Sequence, residues 1–176
     1  NIAAVTINNV FVTIEAATPG LYLDAAAPST SPSSFFCVAC PTSGPVTNTK
    51  LTIRGVELRN GRGQQVFTPG GAICVGSNGE VEVIDSTFTN NANVNDAGTP
   101  RQAGGAIGIW DRARVVLSNV QFSSSTQEGM NDLWANVASS ELQIRCPADW
   151  TGSAWQELPS SGSPWQQGSV GFSGHY

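Results

Sequence analysis

The sequence carries little charge and no long apolar segment. Charged residues make up 12% of its 176 residues, and the net charge at pH 7 is −5. The eight Lys and Arg residues are scattered and form no basic stripe, which argues against a nucleic-acid or anionic-membrane partner. No run approaches the roughly 18 apolar residues of a membrane-spanning helix. We therefore predict no nucleic-acid binding and no membrane span.

Histidine is also scarce, and helical periodicity is missing. The single histidine is His175, the penultimate residue, so no Ser/His/Asp triad is expected. The sequence does not begin with Met and shows no signal peptide, and we expect a chain that was processed or cut from a longer one. Because Gly, Pro, Asn and Ser interrupt the apolar periodicity at short intervals, the predicted structure consists of short strands.

Four cysteines are present, and their spacing argues against a zinc site. Cys37 and Cys40 form a Cys-x-x-Cys pair, whereas Cys74 and Cys146 stand alone in the sequence. Zinc would require a second close pair or a histidine cluster, and a thioredoxin-like motif would require a βαβ setting. We predict two disulfides in an oxidising, extracellular compartment, with the connectivity open. No metal and no cofactor are predicted.

Two stretches of the sequence repeat each other about 34 residues apart. Residues 69–91 read PGGAICVGSNGEVEVIDSTFTNN, and residues 103–125 read AGGAIGIWDRARVVLSNVQFSSS. Three short apolar runs in each unit predict an all-β parallel solenoid of about four coils, with strands about 4.8 Å apart. An antiparallel jelly roll is the alternative, with SNGE at 77–80 as a hairpin turn.

The alignment of the repeats assigns the inward-facing residues to columns. Ile73 and Ile107 should lie above each other, with Phe36 before them and Leu133 after them. Glycine pairs at 70–71 and 104–105 mark sharp or crowded turns. The other predicted columns are Val38, Val75, Ile109 and Ala135; Leu51, Val81 and Val115; Ile53, Val83 and Leu117; and Leu58, Phe88 and Phe122. The predicted corner residues are Asn60, Asn90, Asn91 and Asn119.

The same alignment places two cysteines at equivalent outward positions. Cys37 and Cys74 stack on adjacent coils, where the strand spacing slightly exceeds relaxed disulfide geometry. A Cys37–Cys74 disulfide therefore requires a small shift, and Cys40 is the other candidate partner for either of them.

The motifs GGAI, at 70–73 and 104–107, and STFTNN, at 86–91, carry a family resemblance. Together with LTIRGVELRNG they resemble right-handed parallel β-helix proteins with polymorphic-outer-membrane-protein-type repeats, within the pectin-lyase-like superfamily. That family pairs a Gly-Gly-Ala-Ile element with a Phe-x-x-Asn element, and here the second Phe-x-x-Asn loses its Asn after Phe122. The resemblance covers residues 10–146. It implies a right-handed β-helix and a surface protein, such as an adhesin or an autotransporter passenger.

Polysaccharide lyases and hydrolases are the catalytic alternative, and the acids argue against them. Glycosidases need two carboxylates within about 5–9.5 Å of each other, and we expect the acids here to be isolated and solvated at turns. The signatures of β-helix pectinases are absent, so we predict that the chain is not an enzyme. The acids considered are Asp85, Asp111, Asp132, Glu80 and Glu82.

Outward tryptophans form a candidate glycan-binding site. Trp110 falls at the end of its strand beside Asp111 and Arg112, and Trp134 points outward on the next coil, in line with Gly108. An exposed indole stacks well on a sugar ring, and Asp and Arg supply hydrogen bonds. The alternative, which we favour, is that loops or the tail cover both indoles.

The chain divides into a β-helix, residues 1–147, and a tail, residues 148–176. The tail carries Trp150, Trp155 and Trp165 among Gly, Ser and Pro and shows no strand columns. It either caps its own solenoid or contacts a neighbouring molecule. The first strands show no polar cap. These features favour a structural or adhesive extracellular module that self-associates or joins other protein subunits, with carbohydrate binding as the alternative.

Overall fold

Short strands make up the ordered elements of the structure, which is a computed structural model. It describes residues 4–25, 34–40, 46–64, 70–94, 105–110, 112–123, 133–135, 141–145, 169–170 and 174–175. Within these ranges the chain is all-β and contains no helix, which confirms the predicted all-β class. Accordingly, no helix in the described ranges is suited to crossing a membrane.

The strands form three long sheets and one small one. Sheet 1 has the order β1 (Val5–Ile7), β4 (Phe36–Val38), β8 (Ile73–Val75), β12 (Ile107–Ile109), β15 (Leu133–Ala135) and β17 (Ser169–Val170). Sheet 2 has the order β2 (Phe11–Glu15), β5 (Thr49–Arg54), β9 (Gly79–Ile84), β13 (Arg114–Ser118) and β16 (Glu141–Arg145). Sheet 3 has the order β3 (Tyr22–Asp24), β6 (Glu57–Arg59), β10 (Thr87–Thr89), β14 (Gln121–Ser123) and β18 (Gly174–His175). The small sheet pairs β7 (Arg62–Gln64) with β11 (Ala92–Val94).

Up to β14 the chain passes through sheets 1, 2 and 3 in that order and then returns to sheet 1. We call each passage a repeat, so that repeat 1 is β1–β3, repeat 2 begins at β4, repeat 3 at β8, repeat 4 at β12 and repeat 5 at β15. Every strand of one repeat pairs in parallel with its counterpart in the next. The antiparallel jelly roll is therefore wrong, because SNGE joins β8 and β9, which lie in different sheets.

The predicted columns occupy the interior. Ile73 pairs with Ile107 in parallel register, and the same row continues to Phe36 and Leu133. All four side chains are buried, at 5% exposure or less. Apolar side chains alternate with polar ones along β5 and β9, which places one face of sheet 2 in the core. The Phe88 and Phe122 rings stack 5.1 Å apart, as their shared column predicts.

Asparagines and glycines occupy the corners for two different reasons. Asn60, Asn90 and Asn119 adopt positive φ angles of 59°, 51° and 50°, the left-handed region that Asn tolerates. Gly71 is required by crowding, since a Cβ there would lie 1.9 Å from the carbonyl oxygen of Gly105. Gly104 lies outside the described residues.

The tail departs from the prediction at four residues. It was predicted to contain no strand columns, yet β17 pairs with β15 and β18 pairs with β14, both in antiparallel direction. These short strands cover the last strands of sheets 1 and 3. Such pairing satisfies backbone groups that an open edge would leave exposed. Trp150, Trp155, Trp165 and Cys146 lie outside the described residues.

Candidate functional site

Three cysteines gather on the face of sheet 1 that is turned away from the main core. In β4 and β8, Cys37 and Cys74 are paired in register, as the repeat alignment predicted. Their neighbours along each strand face the core, so the period of two along a strand turns both cysteines to the opposite face. The next residue in this row is Gly108, which brings no side chain. Cys37 and Cys74 therefore belong to a small buried cluster that is separate from the main core.

A sharp turn after β4 brings the third cysteine back to the other two. Ala39 has a φ of 54°, and its N–H donates to the carbonyl of Ile7 at 2.9 Å. The matching turn in repeat 3 packs directly against the turn at Ala39. The space between them is so small that a Cβ on Gly76 would lie 2.1 Å from the Ala39 carbonyl oxygen. Cys40 follows this turn, and it forms a disulfide with Cys37 at a Cα–Cα distance of 5.6 Å.

The three sulfurs are close together and shielded from solvent. Cys40 Sγ lies 3.8 Å from Cys74 Sγ, and all three Sγ atoms lie within 4.8 Å of one another. Exposure is 7% for Cys37, 8% for Cys40 and 0% for Cys74. Ala4 and Trp110 pack against them and complete the cluster. We call Cys37, Cys40 and Cys74 the cysteine cluster.

Burial controls the chemistry of the Cys74 thiol. Removal from water raises the pKa of Cys74 to about 12, because an apolar environment disfavours the thiolate. A hydrogen bond from the Trp110 side chain acts in the opposite direction. Cys74 is therefore a neutral thiol at physiological pH. The arrangement combines one disulfide with a thiol in van der Waals contact, a set of sulfurs suited to redox chemistry or to a soft metal ion.

The structure resolves part of the cysteine prediction. A disulfide is present, and it joins Cys37 to Cys40, leaving Cys74 beside it. The predicted equivalence of Cys37 and Cys74 is confirmed. Cys40 was a candidate partner for either of them, and the sequence did not choose between the two, because the position of Cys40 depends on the left-handed turn at Ala39 and Ala gives no sequence signal for a positive φ.

The structure describes only some of the residues of the candidate glycan-binding site. Trp110 follows β12, its backbone N–H donates to the carbonyl of Val75 at 2.9 Å, and its half-buried side chain packs on the cysteine cluster. Arg112 is exposed, whereas Asp111 lies outside the described residues. Trp134 occupies the predicted position in line with Gly108. Carbohydrate binding at these residues stays a prediction.

Acidic residues on sheet 2 are not isolated, contrary to the expectation. Glu80 lies in register between Lys50 and Arg114, with N–O distances of 3.0 and 2.9 Å. Arg114 also reaches Glu141 at 3.1 Å, and Lys50 reaches Glu82 at 3.0 Å. Hydrogen bonds to Glu80 and Glu82 raise the pKa of Lys50. Charges of alternating sign therefore run across four repeats.

A second polar group occupies the outer face of sheet 3. Glu57 accepts hydrogen bonds from Arg59 and from the Thr89 hydroxyl, each at 2.6 Å. Arg59 in turn lies 4.1 Å above the ring of Tyr22. The contacts with Arg59 and Thr89 lower the pKa of Glu57. A general acid in a glycosidase needs a raised pKa, so the environment of Glu57 opposes that role.

Repeat 1 exposes several large apolar side chains at the start of the three sheets. Its side chains Val12, Ile14 and Leu23 continue the inner columns, yet they are only partly buried. We call this surface the repeat 1 edge. Its exposed large apolar residues are Val5 (55%), Val10 (46%), Phe11 (71%), Leu21 (42%) and Tyr22 (51%).

Comparison with known proteins adds no family assignment. Neither a protein-family model, nor a curated protein, nor a solved structure matches this chain. The functional conclusions therefore rest on the residues and contacts described above.

Proposed function

We propose that this chain is a non-enzymatic structural or adhesive module of an extracellular assembly, built as a right-handed parallel β-helix. The observation that carries the proposal is the repeat 1 edge. Large exposed apolar surfaces are uncommon on soluble monomers and mark sites of association. The proposed partner is a second copy of this chain.

The order of the strands supports the β-helix. Each of repeats 1 to 4 adds one strand to sheet 1, one to sheet 2 and one to sheet 3, in the same order and direction. A chain that visits three parallel sheets in rotation winds about one axis. Connections between parallel strands are right-handed in nearly all proteins, which is the basis for the proposed handedness.

The two ends of the winding differ, and this difference supports a specific mode of association. At one end β17 and β18 already pair with the final strands of sheets 1 and 3. At the other end β1, β2 and β3 are edge strands, and among the described residues no strand pairs with their outer sides. Edge strands with apolar side chains promote pairing with another chain. Two copies can therefore meet edge to edge around a two-fold axis.

The environment of the acids supports a non-enzymatic role. Paired carboxylates in glycosidases must include one acid with a raised pKa. Glu80 forms ion pairs with Lys50 and Arg114, and the hydrogen bond from Arg59 lowers the pKa of Glu57. The Cys37–Cys40 disulfide supports the extracellular location, since disulfides persist in oxidising compartments.

Sedimentation equilibrium of the wild type and a Phe11→Glu variant tests the proposal. Phe11 is 71% exposed and pairs in register with Lys50, so a glutamate there continues the alternating charges without loss of core packing. Because a two-fold interface contains the substitution twice, removal of Phe11 should weaken dimerisation by about 100-fold. The wild type is expected to form dimers.

The control variant is Ser123→Glu, which adds the same charge at an exposed residue in repeat 4. It should dimerise like the wild type. A wild type that remains monomeric up to about 1 mM, or a Phe11→Glu variant that dimerises as strongly as the wild type, would contradict the proposed partner.

A further inference from the structure

The cysteine cluster has the composition and geometry of a metal-binding site. It brings one sulfur from repeat 3 against two from repeat 2, on the face of sheet 1 away from the core. We propose that, once the Cys37–Cys40 disulfide is reduced, the three cysteines bind one copper(I) ion. This inference does not depend on the assembly through the repeat 1 edge.

The distances between the sulfurs fit a bound ion. Metal–thiolate bonds of about 2.3 Å place sulfurs that share one ion about 3.8–4.0 Å apart. Cys40 Sγ and Cys74 Sγ are 3.8 Å apart, so this pair already has the required spacing. All three Sγ atoms lie within 4.8 Å of one another. After reduction, a bound ion requires the sulfurs of Cys37 and Cys40 to move apart to that spacing.

The number of ligands and their burial favour copper(I) over zinc. Thiolates are soft ligands, and they select copper(I) as well as zinc. Structural zinc sites have four protein ligands, whereas in the described part of the chain no fourth His, Cys, Asp or Glu belongs to this group. The cluster is at most 8% exposed, which leaves little access for a water ligand. A three-coordinate copper(I) ion requires neither a fourth protein ligand nor a water ligand.

The disulfide and the copper-bound form exclude each other, because both use the sulfurs of Cys37 and Cys40. An external dithiol supplies two electrons and two protons, the Cys37–Cys40 bond breaks, and the dithiol becomes a disulfide. Copper(I) then binds the cysteine sulfurs and displaces thiol protons to solvent. No electron is transferred in this second step. The site is therefore available to copper(I) only under reducing conditions.

Copper(I) titration of the full chain tests the proposal, with a Cys146→Ser background so that the cluster supplies all the thiols. The protein is reduced anaerobically with dithiothreitol, desalted and titrated in competition with the chelator bicinchoninate. One copper(I) per chain is expected, with a near-ultraviolet thiolate-to-copper band and quenching of Trp110 fluorescence. The oxidised protein, which has the same sequence and retains the disulfide, should bind no copper(I).

Two variants and a competing metal ion test whether the three cysteines are the copper(I) ligands. Cys74→Ser and Cys40→Ser should each lower copper(I) affinity by at least about 100-fold, since even the loss of a partner outside the ligand shell costs about 10–100-fold. The proposal is overturned if the reduced protein retains no copper(I), if the oxidised protein binds equally well, or if zinc(II) displaces the copper(I). The oxidised comparison stays decisive even if a serine variant fails to fold.

Discussion

Glu57 shows how single residues join neighbouring repeats. Its carboxylate accepts hydrogen bonds from Arg59 on its own strand and from Thr89 on the next repeat. Asn60 and Asn90 form a comparable link at the adjacent corner, where Asn90 donates to Asn60 at 2.7 Å and Asn60 donates to Asp24 at 2.9 Å. Polar contacts between side chains of successive repeats therefore supplement the apolar columns.

Replacement of Glu57 by Gln should reduce stability in a pH-dependent manner. The folded-state pKa of Glu57 is lowered from its ordinary value of 4.5, so its stabilising contribution is complete above about pH 4.5. That contribution is lost as the pH falls through the folded-state pKa. We expect Glu57→Gln to lower the free energy of unfolding by about 0.5–1 kcal/mol at pH 7, and by progressively less below pH 4.5. Urea denaturation from pH 3 to pH 7 measures the difference.

Glu15→Gln is the matched control for this series. The nearest nitrogen of Arg54 lies 3.9 Å from Glu15, whose side chain is 63% exposed, so its removal should change stability little at any pH. A Glu57→Gln deficit that stays constant down to pH 3, or that grows on acidification, would contradict the role assigned to Glu57.

At the scale of elements, sheet 2 contains both interior strands, such as β5, and an edge strand, β2. Ile14 on β2 and Ile53 on β5 are paired in register and belong to one column. Ile53 is completely buried, whereas Ile14 is partly exposed because no strand of the described chain lies beyond β2. The same residue type in the same column thus experiences two environments.

Truncation of these two isoleucines should reveal that difference. Ile53→Ala is expected to cost about 2–5 kcal/mol of unfolding free energy, since it leaves a cavity in the core. Ile14→Ala should cost markedly less at low protein concentration. At high concentration the proposed dimer predicts that the cost of Ile14→Ala rises, since a second copy would then cover the repeat 1 edge. Equal costs for the two variants in dilute solution, by urea denaturation, would contradict the open edge.

The sequence predicted the strand elements better than it predicted the turns and side-chain contacts. The column from Phe36 to Leu133 was predicted correctly because apolar period-two runs recur in the same order in each repeat. The row of Lys50, Glu80 and Arg114 was missed because the repeat comparison aligned apolar positions and left the charged ones between them unread. The short strands β17 and β18 were missed because Gly, Ser and Pro dominate the tail.

The cysteine cluster was predictable only in part for a related reason. Register alone placed Cys37 over Cys74. The position of Cys40 depends on the backbone at Ala39, which adopts a conformation that is uncommon for alanine. The contact of Trp110 with the cysteines depends on the direction of a side chain at a strand end. Neither feature produces a periodic signal in the sequence.

At the scale of the whole molecule, the proposed function is based on the buried interior and on the difference between the two ends of the stack of repeats. The interior columns supply stability by burying apolar surface between successive repeats. The tail strands cover one end of sheets 1 and 3, and repeat 1 leaves the other end apolar and exposed. The proposed assembly uses this open end, and the cysteine cluster lies on the outer face of sheet 1.

The stacking of successive repeats is the central claim, and methyl NOEs from a sample labelled at isoleucine and valine methyl groups test it most directly. Parallel register places Ile73 against Ile107 and Val75 against Ile109, so both cross-peaks are expected. An antiparallel arrangement would instead pair Ile73 with Ile109 and Val75 with Ile107. Observation of that second set, or of no contact between Ile73 and Ile107, would contradict the account.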